Sequence, residues 1–228
     1  MSGFFKSSIG RKVAMALSAF FLMFFLIIHL TVNITSVFSE EVFNNLSHFM
    51  GTNPLVQFAL QPVLIFGVVF HFVMGFILEI KNRNARNFSY AKNHNAANSS
   101  WVSRNMIWSG LAILAFLGLH FYDFWVPEIN IKYFKGDMSG LLNPADVTSD
   151  FRYYEELVHK FADPIRVAAY VVAFVFLALH LMHGFASAFQ SMGASTIRKK
   201  RLQPFAKWYS IIIPLGFIVI ALVHHFNH

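Results

Sequence analysis

Four histidines sit where an imidazole is hard to solvate. The stretch Phe174–Gly193 reads FVFLALHLMHGFASAFQSMG, and no lysine, arginine or carboxylate lies between Val167 and Met192. A run that long and that apolar is a membrane span, and an ionisable side chain inside a span marks a functional site. Gly184 follows His180 by about one helical turn and shares its face. A glycine there lets something flat and bulky approach the backbone, and Ser187 and Gly193 extend the small-residue surface. The arrangement recurs upstream, where Gly75 follows His71 within Leu55–Ile80, and His29 and His120 lie in two further apolar runs. A single intramembrane histidine is more often a hydrogen-bonded helix contact. Four spans that each offer one imidazole fit another chemistry: two b-type haems, each held between two histidines in a helix bundle. His183 competes with His180 on its span; Gly184 favours His180 and leaves His183 as a hydrogen-bonding neighbour. His224, His225 and His228 read as interfacial, and His48, His94 and His159 as solvated loop residues.

The elements that must position these rings follow from composition. The chain has 228 residues, of which 56% are hydrophobic and 13% charged, and a mean hydropathy of +0.52. That describes an all-α membrane protein of several spans rather than a soluble domain. The 28 phenylalanines suit lipid-facing and cofactor-facing surfaces alike. The absence of cysteine excludes disulfides, thiolate-held iron–sulfur clusters and covalent c-type haem. The formal charge of +7 could suggest nucleic acid. The basic residues cluster in short loops, however, as membrane topology requires, so no nucleic-acid partner is expected. The first apolar run is too long for a cleaved leader and lacks a small-x-small cleavage site, so it reads as a span.

Residues 1–228 form a single domain of five spans, at about 13–35, 55–80, 104–126, 164–190 and 204–226. Pro62 is expected to kink the second span near its start, and Pro214 to bend the fifth. Ser103 can cap the third span, and Asp163-Pro164 reads as an N-cap with proline at the first helical position. The segment 36–53 reads as a loop. The longest loop, 127–163, is acidic and mixed, and its last part, Phe151–Phe161, forms a short amphipathic surface helix. The N-terminus, the loop at 81–103 and the loop holding Arg198-Lys199-Lys200-Arg201 carry 3, 5 and 5 Lys/Arg, counting Arg104 and Lys207 at span edges. The other side has only Lys132, Lys135, Arg152, Lys160 and Arg166. The positive-inside rule then puts the N-terminus inside and the C-terminus outside.

Depth pairs the rings. His29 and His120 each precede the outer end of their spans by about 6 residues, roughly 9 Å at 1.5 Å per residue. His71 and His180 each precede the inner end by about 10 residues, roughly 15 Å. His29 therefore pairs with His120 and His71 with His180, at two levels about 5–10 Å apart in a hydrocarbon core of about 30 Å.

With these residues in view, the chain resembles the five-span, di-haem cytochrome b subunit of succinate dehydrogenase and fumarate reductase (succinate:quinone oxidoreductase), over nearly its whole length. The most specific part is HLMHGFASAFQSMG at His180–Gly193, preceded by Tyr154, Phe161 and Tyr170. In that family glycine stands at the fourth and thirteenth positions after the span IV ligand, which Gly184 and Gly193 match for His180 and not for His183. The other ligands carry over onto His29 in HLTVN, His71 in HFVMG and His120 in HFYDFW. The resemblance implies a bacterial inner-membrane anchor that does not itself oxidise succinate. Its partners would be a flavoprotein subunit and an iron–sulfur subunit on the inner side. Electrons would pass through the inner haem and the outer haem to a quinone, menaquinone being usual for a di-haem subunit, or run in reverse for fumarate reduction. Proton exchange at the quinone needs an ionisable group; candidates at the outer level are Glu40, Glu41, His48 and Asp123, each also readable as a solvated or span-end charge.

Three rival readings share parts of this pattern. A di-haem b subunit of formate dehydrogenase or hydrogenase type shares the wire and changes the soluble partner. A transporter using intramembrane histidines for metal or protons would pair them with intramembrane carboxylates, whereas here Glu79 and Asp123 are expected near span ends. A haemless anchor is the third, plainest reading.

Overall fold

The computed structural model describes residues 3, 7–84 and 106–227. The expected Ser103 cap, His94, His228 and the basic residues Lys6, Arg86, Lys92 and Arg104 lie outside the described residues. The described chain is helical, with an isolated bridge between Leu141 and Phe151 and no named strand. Its helices are α1, Ser8–Ile34, prolonged by a 3-10 turn at Thr35–Val37; α2, Glu40–Thr52; α3, Val56–Asn84; α4, Met106–Phe134; α5, Tyr153–Phe161; α6, Pro164–Ser191; and α7, Thr196–Phe226. Five of them are long and apolar enough to cross a membrane: α1, α3, α4, α6 and the Lys200–Phe226 part of α7.

Side-chain pairs give the direction of each helix. Ser18 and Phe21 of α1 meet His71 and Gly67 of α3, so these two run antiparallel. Ser109 and Asp123 of α4 meet His180 and Tyr170 of α6, again antiparallel. Met23, Leu30 and Ser36 of α1 meet Tyr209, Gly216 and His224 of α7, which run parallel. The long helices alternate in direction along the chain. In order α1, α3, α4 and α6 form a closed ring in which each touches the next, most sparsely between α3 and α4. α7 packs outside that ring against α6 and α1 and is the most enclosed span, with 44% of its apolar window buried against 6% for α3. A core of Phe174, Phe185, Tyr209, Phe217 and Ala221 joins it to α6.

Three boundaries differ from the sequence expectation. The segment 36–53 is mostly a helix, α2. Ser39 accepts a hydrogen bond from the Val42 N–H, Glu40 and Glu41 occupy the first turn, and Phe43 is buried. Second, α4 does not stop at Val126 but runs to Phe134. Proline removes an N–H and crowds the carbonyl four residues back. Just ahead of Pro127 the helix widens into a π turn at Phe121–Trp125, where the Val126 N–H reaches Phe121 O. That widening carries the helix past the proline. The same device stands ahead of Pro62: a π turn at Val56–Leu60, with the Gln61 N–H on Val56 O. Third, α7 starts at Thr196 rather than at Pro204.

Other expectations hold. Asp163 caps α6 by accepting from the Ile165 N–H, with Pro164 in the first turn. α5 forms within the expected Phe151–Phe161. Its Tyr154 N–H finds no acceptor at its own cap residue and donates to Asn44 Oδ1 on α2, so the two short helices close one end of the bundle together. We call this the capped end; the opposite, basic end carries Lys81, Arg83, Lys200 and Arg201.

Candidate haem-binding sites on the bundle axis

The four histidines pair as depth arithmetic pairs them. The ring centres of His29 on α1 and His120 on α4 are 5.8 Å apart at 83°. Those of His71 on α3 and His180 on α6 are 6.4 Å apart at 68°. Each pair spans a diagonal of the four-helix ring, so all four imidazoles face its axis.

The spacing between levels is larger than expected. Ser18 lies 3.0 Å from His71 Nδ1, and His29 is eleven residues further along α1. Ser109 lies 3.2 Å from His180 Nδ1, and His120 is eleven residues further along α4. Eleven residues of helix are about 16 Å. The expectation of 5–10 Å counted inward from hydropathic boundaries. The helices of 27–30 residues outrun those boundaries, and a thin hydrocarbon slab compressed the estimate.

Do these residues suit an iron porphyrin? A metal held by an imidazole on each side needs about 2 Å to either ring nitrogen, and each ring centre lies about 1 Å beyond its nitrogen, so the centres should stand about 6 Å apart. Both pairs do. Among the described residues no three His, Asp or Glu side chains converge as a metal cage. A bare metal ion wants about four protein ligands; a pair suits an ion that brings its equatorial ligands with it. The glycines near the rings leave space: a Cβ on Gly75 would meet only Met15 Cε at 3.7 Å, and one on Gly184 only Met106 Cε at 3.6 Å. The His180 ring lies beside Gly110 of α4, where a Cβ would meet Cε1 in ordinary contact at 3.7 Å. His183 accepts or donates at 3.1 Å with Ser187 one turn on, in keeping with a neighbour's role. His224 is buried and bonds Ser36 at 2.9 Å, and His225 Nδ1 donates to Phe161 O. His224 and His225 thus tie α7 to the capped end rather than sit free at an interface.

The four candidate proton carriers do not gather in one place. Glu40 and Glu41 are exposed in the first turn of α2, where carboxylates complement the helix dipole. Asp123 is fully buried, three residues after His120 in the π turn. It accepts from Tyr170 Oη at 2.9 Å and faces Arg166 Nη1 at 3.4 Å. Because α4 continues to Phe134, Asp123 lies within the helix rather than near its end. His48 stacks on Phe151 with centres 4.1 Å apart, and its Nδ1 is buried without a hydrogen-bond partner.

His48 borders a polar cluster that the sequence reading dispersed into a loop. Lys132 is buried; its Nζ pairs with Glu128 Oε1 at 2.6 Å and donates to Gly51 O. Arg152 joins Glu128 Oε2 and, at 2.7 Å, Glu156 Oε1. Burial opposes the Arg152 charge, but the two carboxylates outweigh it and raise its pKa. Burial, then the Glu128 charge, pushes Tyr153 up to about 12. Burial, then Lys132, lowers His48, with Glu128 opposing. The usable signal was Glu128 four residues before Lys132, the favourable helical order for an ion pair. An open cleft of about 500 Å³ lies between α3 and α4 at this end, lined by Gln57, Gln61, Phe66, Trp125, Ile129 and Tyr133.

No protein-family model, curated protein or solved structure matches this chain.

Proposed function

We propose that the chain is the membrane-anchor cytochrome b subunit of a succinate:quinone oxidoreductase, with its basic end on the inner side of a bacterial inner membrane. The observation that carries this reading is the pair of diagonal histidine couples, with ring centres 5.8 and 6.4 Å apart on one axis. When bound, two b-type haems would supply one-electron transfer between an iron–sulfur subunit, with its flavoprotein partner, and a quinone such as menaquinone.

The chain's own residues have distinct tasks in this reading. His71 and His180 hold one iron near the basic end, and His29 and His120 hold the other nearer the capped end. Gly75 and Gly184 leave the space beside the first pair open. Phe25, Phe116, Phe124 and Phe217 surround the second pair and keep water from it. The quinone would sit at the capped end, where the α3–α4 cleft opens and Gln57, Gln61, Trp125 and Tyr133 line it. Asp123, held by Tyr170 and Arg166, is too enclosed to exchange protons directly with a quinone and serves better to fix α4 against α6. The basic loops would face the soluble subunits.

The formate dehydrogenase or hydrogenase type of subunit would use the same couples, and copurifying subunits separate it from our reading. The histidine transporter loses ground because the histidines come in pairs and the enclosed carboxylate, Asp123, is already matched by Arg166. A reduced-minus-oxidised optical spectrum of the purified protein decides the class. Two b-type signals per chain are expected; an intact preparation without iron porphyrin would overturn the proposal.

A further inference from the structure

The two couples are held differently, and the difference lies in two serines. Ser18 Oγ donates its only proton to Met15 O at 2.8 Å. Ser109 Oγ donates its own to Met106 O at 2.9 Å. Such bonds to the carbonyl three or four residues back are ordinary for serine inside a helix and by themselves signify nothing. Each of these oxygens, however, also lies against a histidine of another helix: Ser18 Oγ at 3.0 Å from His71 Nδ1 and Ser109 Oγ at 3.2 Å from His180 Nδ1. A hydroxyl has one hydrogen. With that hydrogen on a carbonyl, the oxygen would accept from Nδ1, and each ring would then carry its proton there. A neutral imidazole has one N–H, which leaves the Nε2 lone pair of His71 and of His180 free. Both serines are themselves buried, so no water competes for these bonds.

The other couple has no such arrangement. Near His29 Nδ1, at 3.3 Å, stands Asn33 Nδ2, which gives one N–H to His29 O at 2.7 Å and has a second to direct at the ring, a donor where the serines present an acceptor. His120 Nδ1 is buried and has no hydrogen-bond partner.

We propose that Ser18 and Ser109 are positioning residues that lock His71 and His180 as Nδ1–H tautomers and set ligand strength at that couple alone. The proposal rests on the haem reading above for its second half and on geometry alone for its first. An acceptor on the far nitrogen of a metal-bound imidazole orients the ring and makes it a stronger donor to the metal. A serine already donating to a carbonyl is polarised into a better acceptor. The stronger ligand favours the oxidised metal, so the serines lower the reduction potential at the His71/His180 couple. The duplication supports a designed role: Ser18 stands eleven residues before His29 and Ser109 eleven before His120, so one helix of each neighbouring pair carries a ligand for one level and a support for the other.

The test uses the full chain with its copurifying subunits. Ser18→Ala, Ser109→Ala, the double variant and Ser18→Thr are compared with the parent by haem content, redox-titrated spectra and low-spin ferric electron paramagnetic resonance. The alanine variants are expected to keep the haem of the His29/His120 couple unchanged and to move the other to a higher midpoint potential, the double variant most, or to release that one alone. Ser18→Thr, which keeps the hydroxyl, should behave as the parent. Unchanged potentials in the double variant with both haems present, or a shift confined to the His29/His120 haem, would overturn the proposal. Nitrogen-15 resonances of labelled histidines give a readout that needs no haem. The His71 and His180 rings of the parent should show Nδ1–H, the first perturbed by Ser18→Ala and the second by Ser109→Ala; Nε2–H at His71 and His180 would refute the tautomer assignment. A parent without haem would sink the proposed function, and the nitrogen-15 result would then decide the role of the serines separately.

Discussion

The two ends of the bundle axis present the same pair of rings in unlike surroundings. At the capped end His29 and His120 are packed among aromatic rings: His29 stacks on Phe25 with centres 5.2 Å apart, and His120 on Phe116 at 5.7 Å. Towards the basic end His71 and His180 are met by the serine hydroxyls, Gly110 lies beside His180, and Gly75 and Gly184 leave room next to them. One couple is oriented by bulk, the other by hydrogen bonds and by room left open. Diagonal geometry is thus reached by two physical routes. An aromatic wall excludes water and fixes a ring by contact. A hydroxyl fixes it by direction and also chooses which nitrogen bears the proton.

The sharpest way to break this comparison is to remove one ligand from each level. On the proposed function, His71→Ala should halve the haem content and stop electron delivery from an iron–sulfur subunit. His29→Ala should also halve it, but spare succinate oxidation with an artificial acceptor and abolish quinone reduction. If His29→Ala and His180→Ala erase the same optical signal, and only that one, the two levels are paired wrongly.

Gly184→Val asks whether the space beside His180 serves a ligand or helix packing. A Cβ there touches only a methionine tip, and valine is a better helix former than glycine by a few tenths of a kcal/mol. The folded chain should accumulate normally while the haem of the His71/His180 couple falls to a minor fraction; the other haem should stay. Loss of the folded protein instead would make Gly184 a packing residue.

At the aromatic end, Asp123→Ala strips Arg166 and Tyr170 of a buried partner. Leaving such groups unsatisfied costs about 1–3 kcal/mol, measurable as earlier denaturant unfolding in detergent. Asp123→Asn, which keeps an acceptor for Tyr170, should lose less. The haem spectrum of the His71/His180 couple should not change in either.

The smallest effect belongs to His48. Its pKa is lowered by burial and by Lys132, so the unfolded chain takes up a proton that the folded chain resists. Stability then falls as the pH drops below the ordinary histidine range of about 6.5. His48→Phe should flatten the stability curve between about pH 7 and 5 in that range, read as the change in melting temperature across it. An unaltered slope would mean that His48 does not contribute to acid sensitivity.

The capped end shows best why part of the fold was hard to read. The α2 helix had a legible start, with Ser39 before Glu40 and Glu41 and apolar Phe43, Leu46 and Met50 at helical spacing. Between two long spans that short signal was easily taken for a loop. The run of α4 beyond Pro127 was hidden for another reason. A proline normally marks an end, and the π turn that carries the helix past it leaves no pattern in residue types. The polar cluster was lost with it, since Glu128 and Lys132 meet only when α4 continues.

The sequence by itself determined five apolar helices, the four intramembrane imidazoles and their order by depth. These are properties read along a single line, through hydropathy and a fixed rise per residue. Tertiary structure alone decided that the rings face one another across diagonals, that the levels stand about 16 Å apart, and that Ser18, Ser109, Arg166 and Tyr170 are the partners of His71, His180 and Asp123. Those facts depend on how each helix is rotated and slid against the others. In a membrane the lipid-facing and protein-facing sides of a span are about equally apolar, so rotation leaves little trace in composition and is settled by side-chain packing between residues far apart in the chain.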